Sequence, residues 1–431
     1  MTKVVSAVQR RLLGLIATGV TTAVALTLSG CGGVGSAAEG DATIKLVAAD
    51  YGDKPGNSST RYWDDLAREF EAENPGISVD VNVLSWNDVD REVAEMVKAG
   101  KAPDIAQIGA YADYAAQGKL YSVNQLLSIP AQADFLPAMA KAGEAHRVQY
   151  GMPFVSSTRV LFYNKKLFAR AGITEPPQTW SELQQDAQKL KQAGVKVPYG
   201  LPLGTEEPQA ETLNWMLSGG GAYVSDIGSY TIDSAENIKT FEWLRDEMVA
   251  KGLTNSSPGR TDRKEVFDGF TSGDVGMLNG HPTLMQQADA KGIEYGMAPL
   301  PGKDGQSRAT TGVADWMMAF KQNGHRVEAG KFLDFAYRKD NVLEFADRYD
   351  LLPVTTSASE AMRADKGSRS LWKFLDELPT AEFYPVSKRS WGPVVKRLKQ
   401  SIGTAVEKNG DPARVLGALQ READAMENAT R

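Results

Sequence analysis

The residue types that most often carry out chemistry are scarce in this sequence, with the exception of the carboxylates. One cysteine, Cys31, and three histidines occur among 431 residues. A structural zinc site needs about four cysteine, histidine or carboxylate ligands at close spacing, so this composition predicts no metal site. The sequence also contains no G-x-S-x-G, no H-E-x-x-H and no P-loop motif. The signatures of serine hydrolases, zinc proteases and nucleotide hydrolases are therefore absent from it.

Carboxylates are the potentially catalytic side chains that this composition supplies in number. The chain holds 54 Asp and Glu residues. Two carboxyl groups at a set separation can hydrolyse a glycosidic bond. Because acidic residues are this abundant, their presence alone does not indicate such a pair, and a glycosidase stays one hypothesis among others.

The amino-terminal segment has the layout of a secretory signal. Three basic residues within the first eleven positions precede an uncharged, largely apolar run over residues 12–28, and the small residues Ser29 and Gly30 then lead to Cys31. A permanent membrane helix needs about 20 consistently apolar residues, whereas this run is interrupted by glycines and threonines. Residues 1–30 are therefore predicted to be a signal peptide and are left out of the fold.

The tetrapeptide LSGC that ends at Cys31 resembles a bacterial lipobox. This resemblance implies cleavage before Cys31 and a lipid thioether on its sulfur, and a diacyl group supplies the two chains that stable anchoring needs. The alternative is a plain secreted protein with an unpaired thiol, which would be a liability outside the cell. Residues 31–41 are accordingly predicted to be a lipidated cysteine and a flexible tether, because GGVGSAAEGD at 32–41 has no apolar periodicity.

Length and charge limit the remaining possibilities. About 400 residues follow the predicted signal, which favours two domains over one compact core. With the three basic residues of the signal removed, the formal net charge of −6 becomes −9. A nucleic-acid partner is not expected, since it would require a basic surface. A disulfide is excluded because there is no second cysteine.

Apolar periodicity predicts a βαβαβ unit directly after the tether. Its parts are a strand at 42–50, a helix from 59 to the NPG at 74–76, a strand at 77–86, a helix at 89–100 and a strand at 103–109. Ser59 or Thr60 can cap the first helix. This alternation predicts a parallel sheet with crossover helices.

The rest of the chain continues the mixed pattern. VLFYN reads as a strand, KKLFARAG as a short helix, and residues 179–194 as a helix that Thr179 caps. TTGVADWMMAF reads as a later strand, and the last third of the chain is predicted to be largely helical.

Several stretches in order make the chain similar to the bacterial ABC-transporter solute-binding lipoproteins, and most of all to the extracellular sugar-binding proteins of the maltose-binding type. They are FEAENPGISVDV (70–81), APDIAQIGAYADYAAQGKL (102–120), YGMPFVSSTRVLFYNKKLF (150–168), PPQTWSEL (176–183), FTSGDVGMLNG (270–280) and YGMAPLPG (295–302). The resemblance covers nearly all of the chain after the signal. The order and spacing of these stretches, more than any single motif, support the resemblance.

This resemblance implies an α/β, two-lobed, periplasmic-binding-protein-like fold with a ligand cleft between the lobes and a hinge that the chain crosses several times. Ligand binding would close the lobes. The implied boundaries are 42–151 plus 307–350 for lobe one, 152–306 plus 351–431 for lobe two, and hinge crossings near Gly151, Gln306 and Leu352.

Aromatic residues are the first candidates for ligand contact, because a sugar presents flat C–H faces that stack on rings. The resemblance places Trp391 at the start of a carboxy-terminal helix where the family has a stacking aromatic. It places Trp316, with Asp315 beside it, at the cleft end of a strand, and Trp86 after the second strand. For Trp391 and Trp316 the alternative is packing in the core, and for Trp86 it is packing on the helix.

Polar groups in fixed places would pair with the sugar hydroxyls. The positions that the resemblance brings to the cleft are Asp50, Tyr51 and Asp53 after the first strand, Tyr111 after the third, Ser157 at the crossover, Glu207 before a helix, and Asn279, Gly280 and His281 at a strand end. Many family members carry Trp after this Asn-Gly, whereas this chain has His281. The resemblance therefore does not imply a specific sugar.

Arg389, next to Lys388, precedes Trp391. The two cations form either a solvated surface pair or, if they face the cleft, a site for an anionic ligand such as a sugar phosphate, since arginine binds such groups in a bidentate manner.

The resemblance thus implies a monomeric receptor, without a cofactor, that is lipid-anchored at the extracellular face of the bacterial cell membrane. It would bind a mono- or oligosaccharide without chemical change and deliver it to the two transmembrane subunits of an ABC permease. Three alternatives stay open: a receptor for a polyol or a phosphorylated sugar or glycerol derivative, an extracellular glycosidase, and a structural or adhesive surface lipoprotein.

Overall fold

The computed structural model describes residues 41–52, 58–86, 88–305 and 310–430. The predicted signal peptide, Cys31, most of the tether, Asp53 and Gln306 lie outside the described residues. The chain from Asp41 to Arg431 forms one compact unit by its internal contacts.

Strands and helices alternate through the described part of the chain. The strands are β1 (Ala42–Asp50), β2 (Ile77–Ser85), β3 (Ile105–Ile108), β4 (Glu144–Ala145), β5 (Val148–Gln149), β6 (Met152–Ser157), β7 (Val160–Asn164), β8 (Val197–Gly200), β9 (Val275–Gly280), β10 (Tyr295–Ala298), β11 (Thr311–Ala319) and β12 (Glu382–Phe383). The α-helices are α1 (Ser59–Glu73), α2 (Val89–Lys98), α3 (Ala112–Ala116), α4 (Val123–Leu126), α5 (Ile129–Asp134), α6 (Pro137–Ala142), α7 (Lys165–Arg170), α8 (Trp180–Gln192), α9 (Pro208–Ser218), α10 (Ala235–Trp243), α11 (Arg263–Thr271), α12 (Thr283–Ala290), α13 (Arg326–Ala336), α14 (Lys339–Tyr349), α15 (Thr356–Ala364), α16 (Trp372–Glu377), α17 (Trp391–Ser401) and α18 (Pro412–Thr430).

The first sheet has the strand order β12-β11-β3-β1-β2, and β6 also pairs with β11. Strand β1 is parallel to both β2 and β3, which confirms the predicted parallel βαβαβ unit. Strand β11 runs antiparallel to β3 and to β6. Because the end of β3 and the middle of β11 therefore lie side by side, residues far apart in the chain meet at this edge.

Helix α1 shows why these elements form where they do. Its apolar residues recur at helical spacing, and Trp63, Leu66 and Phe70 are buried against the sheet. Its N-cap is Ser58, whose Oγ accepts from the backbone N–H of Thr60. The prediction of a cap at Ser59 or Thr60 was therefore wrong by one or two residues: the Oγ of Ser59 instead accepts the backbone N–H of Tyr51.

The second sheet has the order β10-β7-β9-β8, with β7 antiparallel to β9 and β10 and β8 parallel to β9. Helix α8 packs on it and begins at the predicted N-cap. The Thr179 side chain accepts from the backbone of Glu182, and the Glu182 carboxylate accepts from the backbone of Thr179. This reciprocal capping box satisfies two backbone donors that the helix itself cannot pair.

The passage from the first sheet to the second is short. Strand β6 lies in the first sheet and β7 in the second, so only Thr158 and Arg159 connect them. The predicted boundaries assign 152–157 to lobe two, whereas these residues pair with β11 in the first sheet. Ser156 also bridges to Leu352, where another crossing is predicted. The lobe boundaries themselves stay a prediction.

Within the described ranges, no helix combines the length and the apolar character that crossing a bilayer requires. The same ranges contain no group of three or more His, Cys, Asp or Glu side chains that could hold a metal ion.

Candidate ligand-binding site

A cavity of about 600 Å³ opens between elements of the two sheets. One wall is formed by the end of β3 and by α3, and the other by the start of α9, by residues 384–389 and by α17. Its lining includes Ile108, Asp113 and Tyr114 on the first wall and Gln209, Tyr384 and Trp391 on the second. Its volume falls in the range of small-molecule sites, so it is the candidate ligand-binding site.

Trp391 is the first residue of α17 and lines this cavity. Its ring stacks on that of Tyr384 with 5.8 Å between centroids and lies 5.4 Å from that of Tyr223. The preceding Ser390 fixes the start of the helix, because its Oγ donates to Glu427 Oε2 at 2.6 Å and lies 2.8 Å from the hydroxyl of Tyr230. Trp391 is only 6% exposed, so most of its ring packs on its neighbours and a small part of it borders the cavity.

The two cations that the sequence singles out are both paired. The guanidinium of Arg389 donates through Nε to Asp113 Oδ1 at 2.9 Å, across the cavity, and through Nη1 to the carbonyl of Thr430. The Nζ of Lys388 donates to Glu427 Oε1 and to the carbonyl of Gly228, both at 2.8 Å. Arg389 and Lys388 therefore line the cavity with their charges neutralised by ion pairs.

A second polar group lies where β1, β3 and β11 meet. The hydroxyl of Tyr51 donates to Asp315 Oδ2 at 2.6 Å and accepts from Gln107 Nε2 at 2.6 Å. Burial, together with the nearby carboxylate of Asp90, raises the pKa of Asp315 to about 6, against the opposing effect of the hydrogen bond from Tyr51. Asp90, which lines the cavity, accepts the backbone N–H of Gly109. The predicted residues Tyr51 and Asp315 are thus brought together.

Two other predicted residues lie beside Tyr51. The ring of Trp86 meets that of Tyr51 edge-on, with 5.5 Å between centroids. The carboxylate of Asp50 accepts the backbone N–H groups of Ser59 and Gly52. Although burial acts in the opposite direction, these bonds lower the pKa of Asp50 below its usual value. Asp50 therefore organises the turn after β1, and its contact with a ligand stays a prediction.

The structure places Trp316 and Tyr111 in the core below the sheet edge. Trp316 is 1% exposed and its ring lies 5.5 Å from that of Tyr111. The hydroxyl of Tyr111 donates to the carbonyl of Ala142 at 2.7 Å. Neither residue lines the cavity, which matches the packing alternative for Trp316.

A buried arginine joins the crossover to the second wall. Arg159 donates through Nη1 to Ser157 Oγ at 3.1 Å and through Nη2 to Glu207 Oε1 at 2.9 Å. The Nε of Arg263 lies 3.2 Å from Glu207 Oε2. Burial, with these two arginines nearby, holds the pKa of His281 well below its usual range, so its ring is neutral. The structure thus groups the predicted residues Ser157, Glu207 and His281 around Arg159.

The sequence reasoning missed Arg159, although a signal was present. The residue stands between the buried runs of β6 and β7 in the stretch SSTRV, and a charged side chain there needs a buried partner. Arg159 is 5% exposed, as this reasoning would require.

The predicted pair Asn279 and Gly280 lies inside the second sheet. Asn279 Nδ2 donates to Glu211 Oε1 at 3.0 Å, and the same oxygen accepts from Trp215 Nε1 at 2.8 Å. Burial raises the pKa of Glu211 to about 7. A Cβ on Gly280 would lie 2.6 Å from the ring of Phe162, so the strand requires glycine there. In this structure both residues serve the packing of the sheet.

Of the predicted ligand residues, Arg389 and Trp391 line the cavity. Gln209 and Tyr384 also line it, and the sequence reasoning missed both. Tyr384 stands seven residues before Trp391 in a stretch with no regular pattern, and its position depends on the pairing of β12 with β11.

The chain matches known proteins along most of its length. The family model described as "Bacterial extracellular solute-binding protein" matches residues 56–343. A protein of Brucella abortus (strain 2308) named only as a binding protein is 28% identical over 389 residues, which cover 89% of this chain and 93% of the relative. The sn-glycerol-3-phosphate-binding periplasmic protein of Escherichia coli (strain K12) is 28% identical over 325 residues, which cover 70% of this chain and 72% of the relative.

Solved structures share the fold at lower identity. The cyclic alpha-maltosyl-1,6-maltose binding protein from Arthrobacter globiformis superposes with a TM-score of 0.75 at 18% identity, covering 90% of this chain and 99% of the other. The sugar-binding protein MalE from Xanthomonas citri gives a TM-score of 0.74 at 20% identity, covering 90% and 98%. The expected α/β, two-lobed, periplasmic-binding-protein-like fold is thereby confirmed.

Proposed function

Because this chain belongs to the bacterial extracellular solute-binding proteins, we propose that it is the receptor of an ABC importer, which binds a mono- or oligosaccharide and delivers it to the permease. The ligand binds between the lobes, is not altered chemically, and draws the lobes together.

The wall formed by Trp391 and Tyr384 is the observation that carries this proposal. Two stacked aromatic rings flank a cavity of about 600 Å³ between the sheets, and side-chain amide, hydroxyl and carboxylate groups of Gln209, Tyr384 and Asp113 line the same space. Sugar-binding sites combine flat apolar surfaces with a few fixed polar groups in this way.

The charges around the cavity support an uncharged ligand. Arg389 is paired with Asp113, and Lys388 is paired with Glu427. A phosphate could therefore bind either cation only by displacing its carboxylate partner. A third lining cation, Lys399, donates to the carbonyl of Glu206 at 2.8 Å. Replacing one charge partner by another yields little net free energy at a solvated site.

A phosphorylated glycerol or sugar derivative is the second candidate. It is favoured by the similarity to the glycerol-3-phosphate-binding protein of Escherichia coli and by Lys399, whose partner is a carbonyl and not a carboxylate. A polyol would use the same hydroxyl-binding groups as a sugar.

The lipid anchor belongs to the same proposal. The LSGC motif supports cleavage before Cys31 and attachment of the mature protein to the extracellular face of the membrane, with a monomeric receptor domain on the tether. Mass spectrometry of membrane-extracted protein would detect a diacyl adduct on a peptide that begins at Cys31, and a Cys31→Ala variant would lack it.

Ligand binding is tested with the soluble protein that begins at Gly32, which contains the whole compact unit. A thermal-shift and calorimetric screen would include neutral mono- and disaccharides, polyols and glycerol 3-phosphate. A ligand at 100 times its Kd should stabilise the fold by about 2.7 kcal/mol. Chromatography of the ligand after incubation distinguishes a receptor, which returns it intact, from a glycosidase, which cleaves it.

Trp391→Ala should weaken sugar binding at least 10-fold, because the stacking surface is removed. Trp372→Ala serves as the matched control, since Trp372 is a partly buried tryptophan on α16 outside the cavity. Tight binding of glycerol 3-phosphate alone would contradict the carbohydrate proposal.

A further inference from the structure

Two side-chain atoms on the second wall of the cavity are buried without a hydrogen-bond partner. They are Oε1 of Gln209 and the hydroxyl of Tyr384. Other buried atoms without a partner occur in the described part of the chain, but none of them belongs to a residue that lines this cavity. A buried polar atom that stays unpaired costs the full desolvation of that group, so such atoms call for an explanation.

Gln209 and Tyr384 are held firmly in place. Gln209 is the second residue of α9 and is 9% exposed. Its backbone carbonyl oxygen accepts a hydrogen bond from the hydroxyl of Tyr223 at 3.1 Å. Tyr384 directly follows β12 and stacks on Trp391. Both unpaired atoms are therefore presented by rigid elements, as in a preorganised binding site.

The chemistry of these two atoms limits what can pair with them. The Oε1 atom of an amide can only accept a hydrogen bond, and the hydroxyl of a tyrosine can donate or accept one. Burial and the carboxylate of Glu207 raise the pKa of Tyr384 well above its usual value, so its hydroxyl keeps its proton. An ionised phosphate offers acceptors alone, whereas a hydroxyl group offers both a donor and acceptors.

We propose that Gln209 and Tyr384 are specificity-determining residues that pair with hydroxyl groups of the bound ligand and thereby disfavour a phosphate group at this end of the cavity. This inference rests on the proposed function and deepens it. The ligand donates to Gln209 Oε1 and exchanges a hydrogen bond with the hydroxyl of Tyr384, while its apolar face lies against Trp391.

The test uses Gln209→Leu and Tyr384→Phe in the soluble protein that begins at Gly32. The matched control is Tyr337→Phe, because the hydroxyl of Tyr337 is also buried and unpaired but lies outside the cavity. Calorimetry would measure the affinity for glucose, galactose, maltose, trehalose, cellobiose, glycerol and sn-glycerol 3-phosphate. Thermal unfolding of the free proteins would be recorded in parallel.

For the neutral sugar that binds best, Tyr384→Phe should weaken binding about 3- to 10-fold and Gln209→Leu about 5- to 100-fold, and Tyr337→Phe should leave it unchanged. The free variants should melt within about 1 °C of the wild type or above it, because each change removes an unpaired buried group. Monodeoxy analogues of that sugar sharpen the test. The analogue that lacks the paired hydroxyl should bind the wild type more weakly than the parent sugar does. The variant that lacks the matching protein group should bind this analogue and the parent sugar with equal affinity.

Three results would overturn the inference. The first is unchanged sugar affinity in both variants, which leaves the proposed function standing. The second is a fall of several degrees in the melting temperature of both free variants, which would mean that the fold itself uses these atoms. The third is binding of glycerol 3-phosphate alone by the wild type, which would contradict the carbohydrate proposal as well.

Discussion

The Nε atom of Arg389 lies 2.9 Å from Oδ1 of Asp113, and this ion pair spans the cavity from the segment before α17 to helix α3. Its two partners belong to the two opposite walls of the cavity. It is therefore a direct polar link between the two sides of the candidate binding site.

Removing this link should change the ligand affinity more than the stability of the fold. Both side chains are well exposed, so Arg389→Ala should alter the free energy of unfolding by less than about 1 kcal/mol. The affinity for sugar should fall a few-fold, and the fall should be smaller at high salt, because salt screens the pair in the wild type. Urea unfolding and calorimetry at low and high salt measure both effects.

Arg397→Ala is the control for that experiment, since Arg397 on α17 forms a similarly exposed pair with Glu422 on α18, and neither residue lines the cavity. Equal effects of the two substitutions on affinity would contradict a role for the link across the cavity.

The buried arginine at the crossover should contribute strongly to stability. Arg159→Met removes the charge of a residue that is 5% exposed and leaves Arg263 as the ion-pair partner of Glu207. We expect a loss of about 2–4 kcal/mol in the free energy of unfolding. Chemical denaturation provides the measurement, and Arg91→Met, at an exposed pair on α2, should cost less than about 1 kcal/mol. A loss at Arg159 no larger than at Arg91 would argue against a buried ion pair.

Glu211 should make stability depend on pH. Burial raises its pKa to about 7 in the folded protein, above the usual value of 4.5, so the folded state binds this proton more tightly than the unfolded state. The stability that this group contributes is therefore fully present below about pH 4.5 and is lost as the pH rises through 7.

Glu211→Gln should remove that dependence, because an amide keeps an acceptor for Trp215 and Asn279 without a charge. Relative to the wild type, the free energy of unfolding of the variant should increase by about 2–3 kcal/mol between pH 4.5 and pH 8. Denaturation curves at several pH values measure the difference. A difference that stays constant or runs in the opposite direction would contradict the buried, protonated carboxyl.

Asp315 should make sugar binding depend on pH. Asp315 does not line the cavity in this structure, and its contact with the ligand is a prediction from the sequence. Its pKa is about 6 and Tyr51 bonds only Oδ2, so the ionised carboxylate would accept a sugar hydroxyl through its other oxygen. Affinity should therefore rise by up to about 10-fold from pH 5 to pH 7, as the ionised fraction rises. Calorimetry at these pH values on the wild type and Asp315→Asn is decisive, because the variant should show a flat profile.

Asp90→Asn is the companion variant to Asp315→Asn. Loss of the Asp90 charge should lower the pKa of Asp315 and shift the midpoint of the wild-type profile to lower pH. An unshifted midpoint would mean that a different group titrates.

Local patterns sufficed for the parallel strands of the first sheet. The apolar runs of β1 and β3, the alternation of apolar and polar residues in β2, the amphipathic face of α1 and the capping box at Thr179 are all encoded within a few neighbouring residues. The two-lobed architecture followed from the order of longer stretches.

The site was predicted less well, because it depends on contacts between distant segments. The sequence shows that Trp316 lies on a strand, but only the pairing of β11 with β3 and β6 turns its ring into the core. Gln209 and Tyr384 are 175 positions apart and become neighbours of one cavity through the packing of α9, β11 and β12. No local pattern marks either residue.

The two-residue connection between β6 and β7 also limits how the lobes can move. From Ser157 to Val160 the chain has three Cα–Cα steps, which reach at most about 11 Å. With so little slack, the ends of the two strands cannot be drawn apart, and any large displacement of one sheet relative to the other must be a rotation about this point. Residues far from the pivot then sweep long arcs while Arg159 hardly moves, so an inserted residue here should loosen the geometry of the whole receptor more than a longer insertion in a surface loop.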